Sequence, residues 1–435
     1  MNLGTLNRYS DYAMTEERNK FMHQRWLVFA IASALFFLSQ FYRSANAVIS
    51  AQLLHDLHLD TAGLGVLSAA FFYAFAFTQI PISIWIDKTG AKIIMSILSL
   101  AGLAGAFLFP LADNMALGLA SRILLGVGMA CNMIGTLKLV TVWFDARHFA
   151  TLTGVIFAIG YLGNMTATTP LALLVQTIGW RPAFQFIAFV YLFLLILFYV
   201  LVKEKKNPAG VQTERIAEQS GRAIFFNFKH LFQNKDFWII SMSTAVSYGI
   251  FAAFQTLWAG PYLMEALQLS ALAAGNLIFF LNLGLVLGGP SWGFFSDRVF
   301  KTRKWIVFAG QCFLLLIFIC LIFLPRTVGP VTLILLFLAF GICRSSGMLM
   351  YPHIKELMPP AMAGTAMTGI NFFTMIGPAL LLQGIGTLMQ ALYPLNSRGP
   401  EAFRAAFLLC AVCLAIVILL YGFTKDTRVH DRKNI

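Results

Sequence analysis

Twelve runs of mostly apolar residues divide the chain, at 26–54, 62–86, 93–112, 115–143, 150–177, 182–202, 237–262, 271–296, 304–326, 329–357, 361–391 and 404–424. Each is long enough to cross a hydrocarbon core as a helix, which takes about 20 residues. A helix also satisfies its own backbone hydrogen bonds where no water is present to do so. The pattern predicts an all-α polytopic membrane protein with twelve transmembrane helices. The first 25 residues are polar and lack an apolar core ahead of a small-residue cleavage site. The first span itself is therefore expected to direct insertion.

Lysine and arginine set the expected orientation, because cytoplasmic loops retain positive charge. The two ends and every second loop hold 23 of the 31 basic residues, whereas the alternate loops hold four: Arg181, Arg326, Arg398 and Arg404. Both termini are expected on the cytoplasmic side of the cell (inner) membrane. The only long polar stretch, 203–236, separates six spans from six. The expected organisation is a cytoplasmic segment at 1–25, a six-helix bundle at 26–202, a cytoplasmic linker at 203–236, a second six-helix bundle at 237–424 and a cytoplasmic tail at 425–435.

The halves resemble each other. A shift of 210 places Leu57-His58-Leu59-Asp60 on Leu267-Gln268-Leu269-Ser270, Gly65 on Gly275 and Asp87-Lys88 on Asp297-Arg298. Thr153-Gly154 meets Thr368-Gly369 at a shift of 215, and Arg181 meets Arg404 at 223. The shift grows only through loops, as insertions would make it. Two halves that enter from the same side form a parallel repeat about an axis along the membrane normal.

Charge and composition narrow the function further. A net charge of +13 raises nucleic acid as a partner, since phosphate contacts need Lys and Arg. With 59% hydrophobic and 11% charged residues, the basic groups sit in short islands between membrane-length runs, and the excess belongs to the bilayer instead. The six cysteines all lie inside apolar runs, so no disulfide framework is expected. His55-Asp56-Leu-His58-Leu-Asp60 carries possible metal ligands, but its repeat partner is Glu265-Ala-Leu-Gln268-Leu-Ser270. Asp60 and Ser270 are expected as helix N-caps instead, and no metal or cofactor is expected. Signatures of soluble enzymes are absent, which argues against an enzyme. Gly284, Gly288, Gly289 and Gly293 in span 8, with Gly126 and Gly128 in span 4, read as sites of close helix packing.

Ser83-Ile-Trp-Ile-Asp87-Lys88-Thr-Gly90-Ala-Lys92 follows span 2, and Gly293-Phe-Phe-Ser-Asp297-Arg298, with Arg303-Lys304, follows span 8. Both resemble the signature loop of the major facilitator superfamily. Arg122-Ile-Leu-Leu-Gly126-Val-Gly128 in span 4 resembles the family's second motif. Ser83 stands where the loop usually has glycine and Ala91 where it usually has a basic residue. Span 5 lacks the Gly-Pro-x-x-Gly-Gly pattern of drug antiporters, which lowers a drug-efflux reading. The resemblance implies two six-helix bundles that rock about a midplane site, with spans 1, 4, 7 and 10 lining the cavity. It further implies gating or conformational roles for Asp87, Lys88, Arg122, Arg147, Asp297 and Arg298, with Arg147 a candidate partner of Asp87.

No Asp or Glu falls inside a span; Glu265 and Glu356, at span ends, lie deepest. Four basic residues do fall inside, Arg43, Arg122, Lys138 and Arg344, all on spans 1, 4 and 10. An intramembrane charge costs about 2.5–3.5 kcal/mol or more, so such residues mark a pathway by default. Arg43 and Arg344 lie near the midplane, one from each half, with Arg122 toward the outer side and Lys138 toward the cytoplasmic side. Ser39, Arg43, Asn46 and Ser50 share one helical face, as do Arg344, Met348 and Tyr351. Span 7 offers Thr244, Tyr248, Phe251, Gln255 and Trp258 on one face.

Two guanidiniums facing one cavity suit a bidentate carboxylate or phosphate. The expected substrate site is Arg43, Asn46, Arg344, Tyr248, Gln255, Trp258 and Lys138, around a small organic anion. The alternative for Arg43 and Arg344 is a structural bond to helix carbonyls, and for Arg122 a structural or coupling role. The basic set resembles the organic-anion and sugar-phosphate-permease-like branches of the superfamily. Phosphate antiporters pair arginines on spans 1 and 7, but position 253 here is Ala. Carboxylates, siderophore-like polycarboxylates, phosphate esters, amino acids and short peptides all stay open. The expected function is secondary active transport by rocker-switch alternating access, in a monomer whose coupling proton, ion or exchange partner is left open. The rivals are a transporter-like sensor that signals to a partner protein and a drug or metabolite efflux pump.

Overall fold

The computed structural model describes residues 3–202, 231–325, 328–359 and 362–427, with side chains at 3–23, 83–84, 87–88, 146, 150 and 363–364 outside that description. Most of the expected 203–236 linker also falls outside it. Twelve helices among the described residues are long and apolar enough to cross a membrane: Gln24–Ser44, Thr61–Ile82, Ala91–Leu111, Met115–Trp143, Thr151–Ile178, Trp180–Leu201, Lys235–Ala266, Ala271–Val299, Lys304–Ile322, Pro330–Leu357, Thr365–Leu392 and Pro400–Tyr421. They are numbered here as spans 1 to 12, with the helix Asn46–Asp56 counted as the second part of span 1. The chain is a multi-pass membrane protein, all helical in its described residues.

The repeat is visible in the backbone. His58 and Gln268, which correspond at the shift of 210, both take a left-handed conformation, at φ 51° and 58°. Each ends the first span of its half. The caps that follow also correspond. Asp60 accepts from the Gly63 amide at 2.6 Å and Ser270 from the Ala273 amide at 3.2 Å, each starting the next span.

Spans 1, 4, 7 and 10 are all interrupted at depth. In span 1 one helix ends at Ser44 and another runs Asn46–Asp56. Span 4 is Met115–Met129 followed by Asn132–Trp143. Span 7 passes into π-helical turns at Phe254–Trp258 and Tyr262–Ala266. Span 10 passes through a 3-10 stretch at Ser346–Leu349 before resuming at Met350–Leu357. Local chemistry favours the last break: the Ser345 and Ser346 hydroxyls donate back to the Ile342 and Cys343 carbonyls, at 2.7 and 2.8 Å. Such back-bonding competes with the helix ladder.

The two sets of six helices meet along three seams: span 2 with span 11, span 5 with span 8, and the second helix of span 1 with span 7. The seams are tightest on the face away from the basic loops, here called the opposite face. Gly260 of span 7 lies against the Ala47 carbonyl, so close that a Cβ at 260 would collide with backbone. Thr61 and Ser397 share a hydrogen bond of 2.6 Å across the halves there, and Thr169 donates to Asn276 at 2.7 Å. Gly284 and Gly288 pack on span 10 as the sequence suggests, but Gly289 and Gly293 face open space. The second glycine pair therefore mediates no packing among the described residues, none of which comes within 4 Å of a Cβ built at either position. Pro290 and Pro378 lie inside continuous helices.

Candidate functional site

Arg43 and Arg344 occupy equivalent local settings. Each lies in the last turn of a half-helix, Leu3–Ser44 and Pro330–Ser345 respectively. The free carbonyls of a terminal turn carry partial negative charge, which favours a cation there. The helix breaks thus hold both guanidiniums at depth without a carboxylate. No Asp or Glu among the described residues pairs with either one, although both are buried, at 6% and 7% exposure.

Tyr248 of span 7 stands between them. Its hydroxyl accepts from Arg43 Nη1 at 3.2 Å, while Arg344 lies over its ring, 5.2 Å from the centroid. Aromatic rings brace each guanidinium further: Arg43 is 4.8 Å from the Phe75 ring and 5.7 Å from Phe72, and Arg344 is 5.9 Å from Phe251. Stacking of this kind contributes about 0.5–2 kcal/mol and fixes the plane of the guanidinium. Both Nε atoms are buried and make no hydrogen bond among the described residues. Tyr248, Tyr351 and Tyr161 all lie within electrostatic reach of Arg344.

A polar chain leads from this centre to the other half. The Tyr351 hydroxyl bonds Asn371 Oδ1 at 2.9 Å and Thr374 Oγ1 at 3.1 Å, and Asn371 donates to Gln79 Oε1 of span 2 at 2.7 Å. Tyr161 of span 5 donates to Met348 Sδ at 3.7 Å. Phe72, Phe75, Tyr161, Asn371 and Gln79 are participants that the sequence does not single out. Their helices carry no charge at these depths, so only the packing brings them to the site.

The other expected site residues are placed differently. Asn46, beyond the break in span 1, donates to Ser68 Oγ at 2.9 Å and leaves its Oδ1 buried without a partner among the described residues. Gln255 donates to Asn282 of span 8 and is nearly buried. Trp258 is buried with its indole over Gly65 of span 2 and Gly386 of span 11, in the seam between the halves. The π-helical turn from Phe254 explains this, because each such turn takes up about one extra residue and rotates the later residues off the Tyr248 face. Lys138 lies in the basic-face half of span 4, partly buried.

Arg122 packs within the first half. It is 1% exposed, donates to the Tyr42 carbonyl at 3.0 Å and sits 5.0 Å from the Phe71 ring. Arg147 is exposed and pairs with Asp145 at 3.5 Å. The Asp87 and Lys88 side chains lie outside the described residues. Asp297 pairs with Arg303, which also reaches Glu356 at 3.4 Å and ties the turn after span 8 to the base of span 10. Arg298 lies near the Phe294 ring at 6.0 Å.

On the opposite face, a depression of ≈ 900 Å³ is lined by residues of both halves, among them Thr61, Glu265, Gln268, Asn396, Ser397 and Arg398. Glu265 and Arg398 pair at 2.6 Å in its wall. It lies beyond the tight seam, on the far side from Arg43 and Arg344. Nearby, hydrogen bonds from His55 and from Trp180 (Nε1 at 2.8 Å) hold the Asp56 carboxyl below its ordinary range.

Comparison with known proteins adds an independent line. The Major Facilitator Superfamily pattern matches residues 29–382, with a second match at 259–434. The nitrite extrusion protein of Bacillus subtilis is 26% identical over 267 residues, 60% of this chain and 62% of that protein. The match thus spans less than two thirds of that relative's length. The hexuronate transporter of Bacillus subtilis is 25% identical over 360 residues, 78% of this chain and 82% of that protein. Among solved structures, a bacterial homolog of the human lysosomal transporter Spinster superposes with a TM-score of 0.73 at 15% identity, covering 92% of this chain and 96% of that one.

Proposed function

The chain belongs to the major facilitator superfamily, a family of transporters rather than enzymes, and from that premise we propose that it is a secondary active transporter for a small organic anion. The observation that carries this reading is the convergence of Arg43 and Arg344, from opposite halves, on Tyr248. A buried cation without a carboxylate partner is costly, and an anionic substrate supplies the missing charge. The named relatives handle nitrite and hexuronate, both anions, which supports the same reading.

The transport cycle follows from the seams. Contacts across the halves are closest on the opposite face, so this state is shut there. Rocking of 26–202 against 237–424 would open that face and expose the arginine pair to it. The 23-to-four split of basic residues supports a basic face on the cytoplasmic side of the cell membrane, with both termini there. Arg43, Arg344 and Tyr248 form the core of the site, and Asn46 with its spare Oδ1 adds an acceptor for a substrate hydroxyl. Gln255 braces span 7 on span 8 and Trp258 acts in the seam instead, and Lys138 contributes a positive field on the basic-face side of the path. The signature-loop residues Asp87, Lys88, Asp297 and Arg298 gate the basic face, as does Arg147 in the loop after span 4.

Uptake of a panel of radiolabelled organic anions, D-glucarate and D-glucuronate among them, into proteoliposomes, set against protein-free vesicles, tests the proposal, with at least one expected to accumulate. Accumulation that unlabelled organic anions compete away is the expected outcome. Binding without accumulation would overturn transport and favour a sensor.

A further inference from the structure

Anion binding by itself leaves the number of substrate charges open, and the geometry bears on it. Tyr248 separates the two guanidiniums. One binds at its hydroxyl and the other on its ring face. The two guanidiniums thus meet different parts of one side chain.

Each guanidinium keeps a bonding edge free of other described residues. Arg43 spends Nη1 on Tyr248, and its Nε is buried and unpartnered, which leaves the edge carrying Nε and Nη2. No hydrogen bond links Arg344 to another described residue, and its Nε is likewise buried and unpartnered. Planar edges of this kind match a carboxylate bidentately. The path through Tyr248 is a 3.2 Å hydrogen bond at one end and a 5.2 Å ring contact at the other, so it keeps the guanidinium carbons within about 12 Å of each other. That is an upper limit, and with a carboxylate seated on each edge an acid of up to about six carbons can span a gap within it.

Charge leads to the same answer. The two guanidiniums add two positive charges at depth, and no carboxylate among the described residues pairs with either. A monoanion would leave one charge uncompensated in a low-dielectric setting, which costs several kcal/mol. A dianion neutralises both.

We propose that the substrate is a dicarboxylate of up to about six carbons, one carboxylate on Arg43 and the other on Arg344, with Tyr248 as the spacer between them. This rests on the anion-binding reading of the site.

Matched acids test it, because each pair differs only in whether the far end is a carboxylate or a primary alcohol. Thermal-shift titration of the full-length protein would compare D-glucarate with D-gluconate and L-tartrate with L-threonate. The dicarboxylate of at least one pair should bind about tenfold tighter or more. Arg43→Gln and Arg344→Gln should each bring that ratio close to one. Equal binding within both pairs by the wild type would overturn the dicarboxylate assignment and leave the anion site standing. A preference that survives in both variants would overturn the assignment in the same way. Binding of none of the four acids would overturn this assignment and count against the anion site itself. The wild-type ratio decides the matter even if an arginine variant fails to fold.

Discussion

Arg43 donates a hydrogen bond of 3.2 Å to the hydroxyl of Tyr248, and that bond joins span 1 of one half to span 7 of the other. The same tyrosine offers its ring to Arg344. The hydroxyl therefore holds Arg43 with its Nε–Nη2 edge free for an anion, whereas the ring supports the second guanidinium. Tyr248→Phe removes only that orienting bond, and a net hydrogen bond contributes about 0.5–1.5 kcal/mol. Anion affinity should fall by a factor of about two to ten, measured by thermal-shift titration. Tyr248→Ala also removes the stacking surface and should lower affinity further.

Arg122 offers a contrast among the buried cations. It bonds the Tyr42 carbonyl and packs on Phe71 and Phe109, all within the first half. Arg122→Gln should lower the melting temperature in detergent by a few degrees, as loss of a charged buried hydrogen bond worth about 1.5–3 kcal/mol would. The dissociation constant for an anion should stay within about twofold of the wild-type value.

Closure of the opposite face depends on how the loop at 396–399 is held. Glu265 pairs with Arg398 of that loop, and the neighbouring Ser397 bonds Thr61 of the other half. Glu265→Gln should loosen the loop and favour opening there. A Ser50→Cys reporter, in a protein with its six native cysteines replaced by alanine, should then react several-fold faster with an impermeant maleimide applied from that face. An unchanged rate would remove Glu265 from the gate.

Asp56 ties the end of span 1 to Trp180 at the start of span 6. Its carboxyl is held below the ordinary range by hydrogen bonds from His55 and Trp180. A depressed native pKa adds stability above the unfolded value and loses it as pH falls through the folded one. Trp180→Phe raises that folded value and so gives up part of the stability present above the unfolded one. Melting temperatures measured from pH 3 to pH 7 would show this as a deficit in the variant that is largest near pH 7 and narrows as pH falls toward 3.

Much of this architecture is legible in the residue order. Membrane-length runs set the spans, and the correspondence of His58-Leu-Asp60 with Gln268-Leu-Ser270 foretells the paired caps, though not the left-handed turn that precedes each. Charge at depth points to Arg43 and Arg344, because few other residues are so costly there. Tyr248 follows from a regular helical wheel. Gln255 and Trp258 do not, since the wheel assumes 3.6 residues per turn and span 7 becomes π-helical at Phe254. Phe75 and Tyr161 are also beyond reach, because an apolar or aromatic residue in an apolar span gives no sign of which neighbour it meets. The fate of Arg122 depends on Tyr42 alone among many carbonyls, which only the packing of spans 1 and 4 decides.

The most direct test of the anion site is the binding of the best anion to Arg43→Gln and Arg344→Gln proteins that insert and fold as the wild type does. Truncating one partner of a buried charge contact costs about 2–5 kcal/mol. Each substitution should therefore weaken binding about thirtyfold or more and abolish uptake into proteoliposomes. Wild-type affinity and uptake in both variants would contradict the account.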